Sequence, residues 1–428
     1  MRHLLPILLL LLLAQSEARG QITLESYRES VMEYSWRLKE AAALRRAAGH
    51  EQEGAFSALL PTLSLGGDFS LSMWHRAGIK PWDFSLQPQI IATLYAGGEL
   101  QSHHREATLK HAEAMANEEF SQFEVYYAAE YTYWNLSAMS EYLRATQRYV
   151  EIIRSLREII LHRFEEGYTS KGDLLLIEAR LSSAEYELLR AEKNHQEALH
   201  NFNTLRGVAC DQEVELTSPI PQESPLPKRI TLEETLDRRP DFRAARLEVE
   251  RSREGIRQAG APYLPRLELG VRGGWRPDSP NRRGKTSVDG ALFARLSVPI
   301  FHFGARGHAL RAAQSTALAS EWALSQLHDK ILLEERNGWS SLSESYAQIE
   351  AISHNLAIAS ENLELSTYSY QEGLSTILEV LQAQIDWISL YSNAITARFN
   401  YAVACADYRR ITATAFDTPQ EGEIKFGQ

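Results

Sequence analysis

Cysteine is nearly absent from this sequence, which has only Cys210 and Cys405 among 428 residues. One follows a long helical segment and the other lies inside a second such segment. An exported protein could join them in a disulfide, but their separation leads us to expect two free thiols. A disulfide framework therefore does not account for the fold.

An excess of positive charge is also missing. Lys and Arg number 45 against 56 Asp and Glu, and the net charge is −11. Because non-specific binding to nucleic acid needs a basic face, this balance argues against nucleic acid as a partner.

Motifs of catalysis and cofactor binding are not found. The sequence has no nucleophile–base pairing, no phosphate-binding loop and no metal-hydrolase motif, so we expect neither an enzyme nor a bound cofactor. His103, His104 and His111 stand close together, but no Cys or Met cluster accompanies them. We expect these histidines to lie on a solvated helix surface rather than to bind a metal.

Long apolar runs are confined to the N-terminus. A basic start precedes an apolar run over 4–14, and Ser16 and Ala18 supply the small residues of a cleavage site. This order is typical of a secretory signal peptide, which we place at 1–18. The run is short for a membrane anchor, and no Cys follows it, so we expect no lipid on the mature N-terminus. Beyond it, no stretch predicts a transmembrane helix.

What the chain does contain is a heptad pattern that occurs twice. Apolar residues recur at steps of three and four, the spacing of a coiled-coil seam. The first seam consists of Leu174, Ile177, Leu181, Ala184, Leu188, Ala191, His195, Ala198, Phe202 and Leu205. Adding 206 gives the second seam, which consists of Val380, Ala383, Trp387, Leu390, Ala394, Ala397, Tyr401, Ala404, Tyr408 and Ile411. The sequence therefore predicts two long helical hairpins built on one plan.

Strict alternation of apolar and polar residues predicts four β-strands. They are expected at about 62–74, 82–95, 265–275 and 288–301, each with one apolar and one polar face. Such strands have the dimensions of membrane-spanning strands. A soluble sheet packed on a helix also alternates, but the other segments are narrow, Ala-rich hairpins without a broad apolar cover.

Four strands cannot close a barrel, and an open edge is not tolerated in lipid. Two copies would give eight strands, whose interior fills with side chains, whereas three copies give twelve strands and a polar lumen. We therefore expect a homotrimer.

The patterns divide the chain into two tandem repeats. The first repeat is predicted at 19–207 and the second at 231–413, with a Pro-rich linker at 208–230 and a tail at 414–428. Each repeat should contain a short helical segment, two strands, a long helix of roughly 70 residues and a seam helix. The opening segment of the first repeat, over 24–56, is predicted to be one helix.

Several motifs in a fixed order resemble those of the TolC-like outer-membrane efflux proteins. They are Arg239-Pro240-Asp241, Ala261 to Pro265, Val298-Pro299-Ile300-Phe301 with Gly304, and Tyr370 to Gly373 followed by Ile377 to Leu381. The first repeat departs from the pattern, because it lacks the Arg-Pro-Asp motif and has Trp36 near that position. The resemblance otherwise covers essentially the whole mature chain.

The resemblance implies an α+β membrane protein in the outer membrane that extends into the periplasm. Three copies would form a twelve-strand β-barrel in the outer-membrane lipid and a twelve-helix periplasmic tunnel. The protein would be a passive exit channel that docks to a periplasmic adaptor protein and an inner-membrane transporter. The rival interpretation is a periplasmic coiled-coil adaptor or scaffold without a pore. The duplication and the membrane-length strands argue against it. The cargo stays open among drugs, metal ions and polypeptides.

Two acidic residues just after the glycine turns are candidates for a gate. Glu379 and Asp173 are equivalent under the offset of 206, and in a trimer each would form a ring of three carboxylates that selects for cations. In the family, acidic residues near this tip line the constriction. Glu379 matches one such position, and Gln382 replaces a second acid. The alternative role is a helix cap, since an acid in a first turn stabilises the helix dipole.

The resemblance also makes the glycine turns the tips on which an adaptor docks. The candidate contacts are Gly167, Tyr168, Thr169, Tyr370, Gly373, Leu374 and Ser375.

Overall fold

The computed structural model describes residues 21–71, 73, 82–217, 219–220, 225–277 and 286–414. The predicted signal peptide and all of the predicted tail except Thr414 lie outside the described residues.

Both repeats have the same order of elements. The first contains α1 (Leu24–Tyr34), α2 (Trp36–Ser57), β1 (Thr62–Leu71), β2 (Trp82–Ala96), α3 (Glu99–Glu165) and α4 (Lys171–Leu205). The second contains α5 (Leu232–Arg238), α6 (Pro240–Gly260), β3 (Arg266–Arg276), β4 (Ser287–Ser297), α7 (Ala305–Gln371) and α8 (Ile377–Ile411). As predicted, the long helices α3 and α7 match in length, at 67 residues each, or about 100 Å.

The prediction of one helix over 24–56 is wrong, because the helix is interrupted at Ser35, between α1 and α2. Ser35 has ψ 117°, and its hydroxyl accepts the N–H of Leu38 at 3.4 Å. A serine that satisfies the first N–H groups of the next helix competes with continuation of the previous one. The opening helix of the first repeat is therefore interrupted at the position equivalent to Arg239 of the second repeat, although the first repeat lacks the Arg-Pro-Asp motif.

In the second repeat, the break follows the predicted motif. Pro240 begins α6, where its missing N–H has no cost. Arg239 is only 4% exposed, and its guanidinium donates to the Glu334 carboxylate at 2.7 Å and the Ile411 carbonyl at 3.4 Å. Arg239 thus fixes the end of α5 against α7 and α8.

Both predicted seams are buried or half-buried along their whole length. Near the glycine turns, one apolar cluster joins the two hairpins, with Ile153 and Ile160 of α3, Ile177 of α4 and Val380 of α8 fully buried. Because each such side chain contributes about 1.5–3 kcal/mol on burial, this cluster is a main source of cohesion.

The four strands form one antiparallel sheet in the order β1-β2-β3-β4. The register places apolar residues opposite each other across all three pairings, for example Leu65 with Pro88, Ile90 with Val271, and Val271 with Leu292. One face of the sheet is therefore continuously apolar, and much of it is exposed in the single chain, with Leu65 at 68% and Leu292 at 82%.

The last strand is shorter than predicted, since it ends at Ser297 rather than at Phe301. Pro299 has no N–H to continue the ladder. The first strand ends at Leu71, and residues 72 and 74 of its predicted end lie outside the described residues.

The chain forms two compact parts. The sheet part comprises Glu40–Phe120 and Pro240–Asp329 and contains the four strands. The hairpin part comprises the described residues up to Lys39, Ser121–Arg239 and those from Lys330 onward, and it contains the glycine turns and both seams.

Candidate functional site: the paired helix tips

The first glycine turn, which we call tip 1, ends α3 in the hairpin part. Gly167 has φ +82°, a conformation that strains residues with a side chain. Its N–H donates to the Phe164 carbonyl at 3.0 Å, and the N–H of Tyr168 donates to the Arg163 carbonyl at 2.7 Å. This pair of hydrogen bonds is a Schellman motif, which satisfies carbonyls at the end of a helix.

The second glycine turn, tip 2, repeats this geometry at the end of α7. Gly373 has φ +75° and donates to the Tyr370 carbonyl at 3.0 Å, while Leu374 donates to the Ser369 carbonyl at 2.8 Å. The two tips therefore have the same backbone conformation and differ only in their side chains.

At tip 1, Asp173 takes part in a capping box at the start of α4. The Ser170 hydroxyl accepts the N–H of Asp173 at 3.2 Å, and one carboxylate oxygen of Asp173 accepts the N–H of Ser170 at 3.1 Å. The same oxygen accepts the hydroxyls of Thr169 and Ser170, each at 2.8 Å. The hydrogen bond from Thr169, followed by those from Ser170, lowers the pKa of Asp173. The helix-cap role considered for this residue is therefore present in the structure.

At tip 2, the Glu379 carboxylate is exposed and makes one weaker contact. The Thr376 hydroxyl lies 3.1 Å from Glu379 Oε1, but this hydroxyl accepts no N–H from the first turn of α8. Glu379 is thus less involved in capping than Asp173, although the two occupy equivalent positions.

A contact between the tips was not predicted from the sequence. The Arg163 guanidinium donates to the Tyr370 carbonyl at 3.1 Å, and it lies 5.2 Å from the centre of the Tyr370 ring. Burial raises the pKa of Tyr370, and the charge of Arg163 offsets part of this shift. The only sequence signal for this contact is that Arg163 lies in the last turn of α3, where a cation can hydrogen-bond to unpaired carbonyls.

The other predicted tip residues differ in accessibility. Tyr168 and Leu374, which are equivalent, are 75% and 80% exposed. Thr169 and Ser375 are half-buried, and Ser375 donates to the Ser366 carbonyl at 3.5 Å. Tyr370 is only 6% exposed, so its ring supports the tip from inside.

The remaining sequence predictions concern metals, thiols and helical membrane spans. Within the described ranges, no three His, Cys, Asp or Glu side chains are placed to share a metal ion, and His111 lies 2.8 Å from the Gln52 amide oxygen. Cys210 and Cys405 are free. Among the helices that the structure describes, none combines the length and apolarity needed to cross a bilayer.

The comparisons with known proteins agree with the duplicated architecture. A family model described as "Outer membrane efflux protein" matches residues 29–208 and 231–414, one match to each repeat. This chain belongs to the outer membrane efflux protein family. It is 24% identical to the outer membrane protein TolC of Escherichia coli K12 over 422 residues, which cover 94% of this chain and 85% of TolC.

Other relatives support the same family. The alkaline protease secretion protein AprF of Pseudomonas aeruginosa is 25% identical over 266 residues, which cover 60% of this chain and 55% of AprF. The crystal structure of VceC from Vibrio cholerae has a TM-score of 0.77 at 19% identity, covering 91% of this chain and 95% of VceC. The fold predicted from the two repeats is therefore confirmed.

Membership of the outer membrane efflux protein family confirms the predicted function and location. The chain is an outer-membrane exit channel of an efflux or secretion system and extends into the periplasm. TolC-like channels form homotrimers and dock with a periplasmic adaptor and an inner-membrane pump. The alternative of a periplasmic scaffold without a pore does not agree with this family.

Proposed function

We propose that three copies of this chain form one channel with a twelve-strand barrel, and that the paired tips form its periplasmic gate. The sheet supports the first part. In the described residues, β1 and β4 pair on one side only, and the apolar face of the sheet is uncovered. Because lipid cannot satisfy free backbone groups, the edge of one copy would pair with the edge of the next.

The hairpin part supports a tunnel of twelve helices. Each copy contributes α3, α4, α7 and α8, which share one apolar cluster near the tips. Three copies then supply six tips, three of each kind, around the periplasmic entrance.

Glu379 is the residue we assign to the selectivity of the gate. The observation that carries this assignment is its exposed carboxylate, which forms no capping box, whereas Asp173 is engaged in one. Three such carboxylates around one entrance would attract cations and repel anions. Asp173 would contribute to the gate mainly by fixing the start of α4.

Docking of the periplasmic adaptor is assigned to the exposed side chains of the tips. Tyr168 and Leu374 offer apolar groups that project from the turns, and such groups often anchor protein partners. Gly167 and Gly373 would shape this surface, and Thr169, Tyr370 and Ser375 would hold it in place. The inner-membrane transporter supplies the energy, and the channel itself is passive.

The gate assignment can be tested in planar bilayers with purified wild-type protein and the variant Glu379→Gln. We expect cation-selective channels from the wild type and a reversal potential closer to zero from the variant in a KCl gradient. Glu361→Gln, which alters an exposed carboxylate of α7 away from the tip, is the matched control. Unchanged selectivity in Glu379→Gln, with channels still formed, would reject the assignment and keep the pore.

A further inference from the structure

A cavity of about 500 Å³ lies within the sheet part, where α3 and α7 begin and α6 ends. It adjoins the end of β2 at Ala96, because Gly97 and Gly98, which connect β2 to α3, line it. Gly97 has φ +64°, and a Cβ built on it would lie 2.6 Å from the Ala261 carbonyl oxygen. The start of α3 is therefore packed closely against the chain just after α6, and the cavity is part of the fold.

Three arginines and one carboxylate line this cavity. Arg105 of α3 and Arg257 of α6 share the buried carboxylate of Glu254, each with an N–O distance of 3.3 Å. Arg306, in the first turn of α7, forms no ion pair with any residue that the structure describes. Three positive charges against one negative charge leave the cavity with a net charge of +2.

The guanidinium groups are accessible to a ligand. The side chains of Arg105 and Arg257 are 65% and 68% exposed, and Arg306 is exposed as well. Because Glu254 neutralises only one positive charge, an anion can bind at the cavity while the existing ion pairs stay in place. Arginine binds phosphate and carboxylate groups through two parallel hydrogen bonds, and the position of the cavity decides between these anions.

The cavity opens away from the polar face of the sheet. Arg266 lies on that face of β3, and its guanidinium reaches the Glu99 carboxylate at the start of α3 at 3.8 Å. Since a helix turns by about 100° per residue, Gln101 and Arg105 lie about 160° and 120° around α3 from Glu99. Both of these residues line the cavity. The cavity therefore opens on the side of the apolar face.

Apolar side chains are exposed on the segment that leads from β4 to the cavity. Ile300, Phe301 and Phe303 are all exposed, and they precede Arg306 by only a few residues. The rings of Phe301 and Phe303 pack edge to face, with their centres 4.6 Å apart. Aromatic groups beside basic ones are typical of a membrane surface, where the rings meet acyl chains and the positive charges meet headgroups.

We propose that this cavity binds the headgroup phosphate of an anionic phospholipid at the periplasmic surface of the outer membrane. Arg257 and Arg306 donate to the phosphate, and the acyl chains lie against Phe301, Phe303 and the apolar face of the sheet. The bound lipid holds the sheet at a fixed depth in the bilayer. This inference rests on the proposed function, in which the sheet spans the membrane and the helices extend into the periplasm.

Native mass spectrometry of the purified full-length protein in detergent tests the proposal. The protein is titrated with phosphatidylglycerol and, separately, with phosphatidylcholine that carries the same dioleoyl chains. We expect phosphatidylglycerol to bind at least about tenfold more tightly, because the choline group adds a positive charge near the arginines. Inorganic phosphate in about tenfold excess should not displace the lipid, because it lacks the acyl chains that bury apolar surface.

Two variants and a control locate the site. Arg306→Gln should weaken the binding of phosphatidylglycerol about tenfold. Arg257→Gln should weaken it several-fold and leave the fold intact, since Arg105 still pairs with Glu254. Arg253→Gln is the matched control, because Arg253 also lies on α6 but forms an ion pair at 2.7 Å with a carboxylate of α7 outside the cavity. It should bind phosphatidylglycerol as the wild type does.

Equal affinity of the wild type for the two lipids, or unchanged affinity for phosphatidylglycerol in Arg306→Gln, overturns the proposal. Displacement of the lipid by inorganic phosphate also overturns it, since the site would then recognise phosphate alone. Semi-native gels of the same samples report separately on the trimer. Trimeric protein without a lipid preference rejects this site and keeps the proposed channel, whereas monomeric protein that prefers phosphatidylglycerol keeps the site and rejects the channel.

Discussion

Asp173 and Glu379 occupy equivalent positions, yet their neighbours give them different chemistry. The Ser170 hydroxyl accepts the N–H of Asp173 and donates to its carboxylate, whereas the Thr376 hydroxyl only donates to the Glu379 carboxylate. The two repeats therefore have the same backbone conformation at their tips, but the carboxylates of Asp173 and Glu379 make different hydrogen bonds.

The capping role of Asp173 makes a prediction about pH. Hydrogen bonds from Thr169 and Ser170 lower the pKa of Asp173 in the folded state, so its contribution to stability is present above the unfolded pKa and is lost as pH falls through the folded pKa. Asp173→Asn should destabilise the protein at pH 7 by about 0.5–1 kcal/mol, the usual cost of a lost cap. Thermal melting followed by circular dichroism at pH 7 and pH 3 checks this.

The difference in melting temperature between the wild type and Asp173→Asn should shrink at pH 3, since the wild-type carboxylate is then being protonated. A difference that stays constant from pH 7 to pH 3 would contradict the capping role.

Arg163 makes a second prediction at the scale of single residues. It connects tip 1 to tip 2 through the Tyr370 carbonyl and ring, so Arg163→Gln should loosen the two tips. One hydrogen bond is worth about 1 kcal/mol, which corresponds to about a fivefold shift toward the open channel for each copy. Single-channel recordings would show more frequent opening or larger conductance.

Arg157→Gln is the control for this variant. Arg157 lies on the same helix, but it pairs with Glu158 and Glu178 rather than with tip 2. If both variants open equally, the loss of positive charge and not the contact with Tyr370 is responsible.

At the scale of elements, the glycines that end α3 and α7 determine how each hairpin reverses. No atom of another residue lies within 4 Å of a Cβ built at Gly167 or Gly373, so only the positive φ opposes a side chain. Gly167→Ala and Gly373→Ala should each destabilise the protein by about 1–2 kcal/mol. Gly255→Ala is the opposite control, because Gly255 lies inside α6 with open space around it and should gain about 0.5–1 kcal/mol. Denaturant unfolding of the three variants compares them.

Much of this architecture could be predicted from the sequence because it follows from periodicity. Seam residues such as Ile177 and Val380 are buried, and the strands alternate as expected. The break at Ser35 was missed, because a short polar side chain ended a helix that the apolar pattern would have continued. The contact of Arg163 with Tyr370 could not be predicted, since it joins residues 207 positions apart and depends on how the hairpins pack.

At the scale of the whole molecule, the two repeats share one sheet, because β2 of the first repeat pairs with β3 of the second. The bulge between Thr93 and Tyr95 lies in this central pairing, near the end of β2. The sheet of the duplicated chain therefore has two free strand edges, at β1 and β4, in the part that the structure describes. The proposed pairing of copies through these edges rests on the requirement that backbone groups be satisfied in lipid.

The exposed apolar face gives the last prediction, which concerns insertion into the membrane. Leu65 lies on the apolar face of β1 and is paired with Pro88, whereas Ser64 lies on the opposite face and is paired with Gln89. A charge on a lipid-facing strand position costs about 2–4 kcal/mol near the middle of the bilayer, and a charge facing a polar lumen costs little. Leu65→Arg should therefore reduce the amount of trimer in the outer-membrane fraction, measured on semi-native gels, while Ser64→Arg should not. Equal yields of the two variants would show that the apolar face of the sheet does not contact lipid.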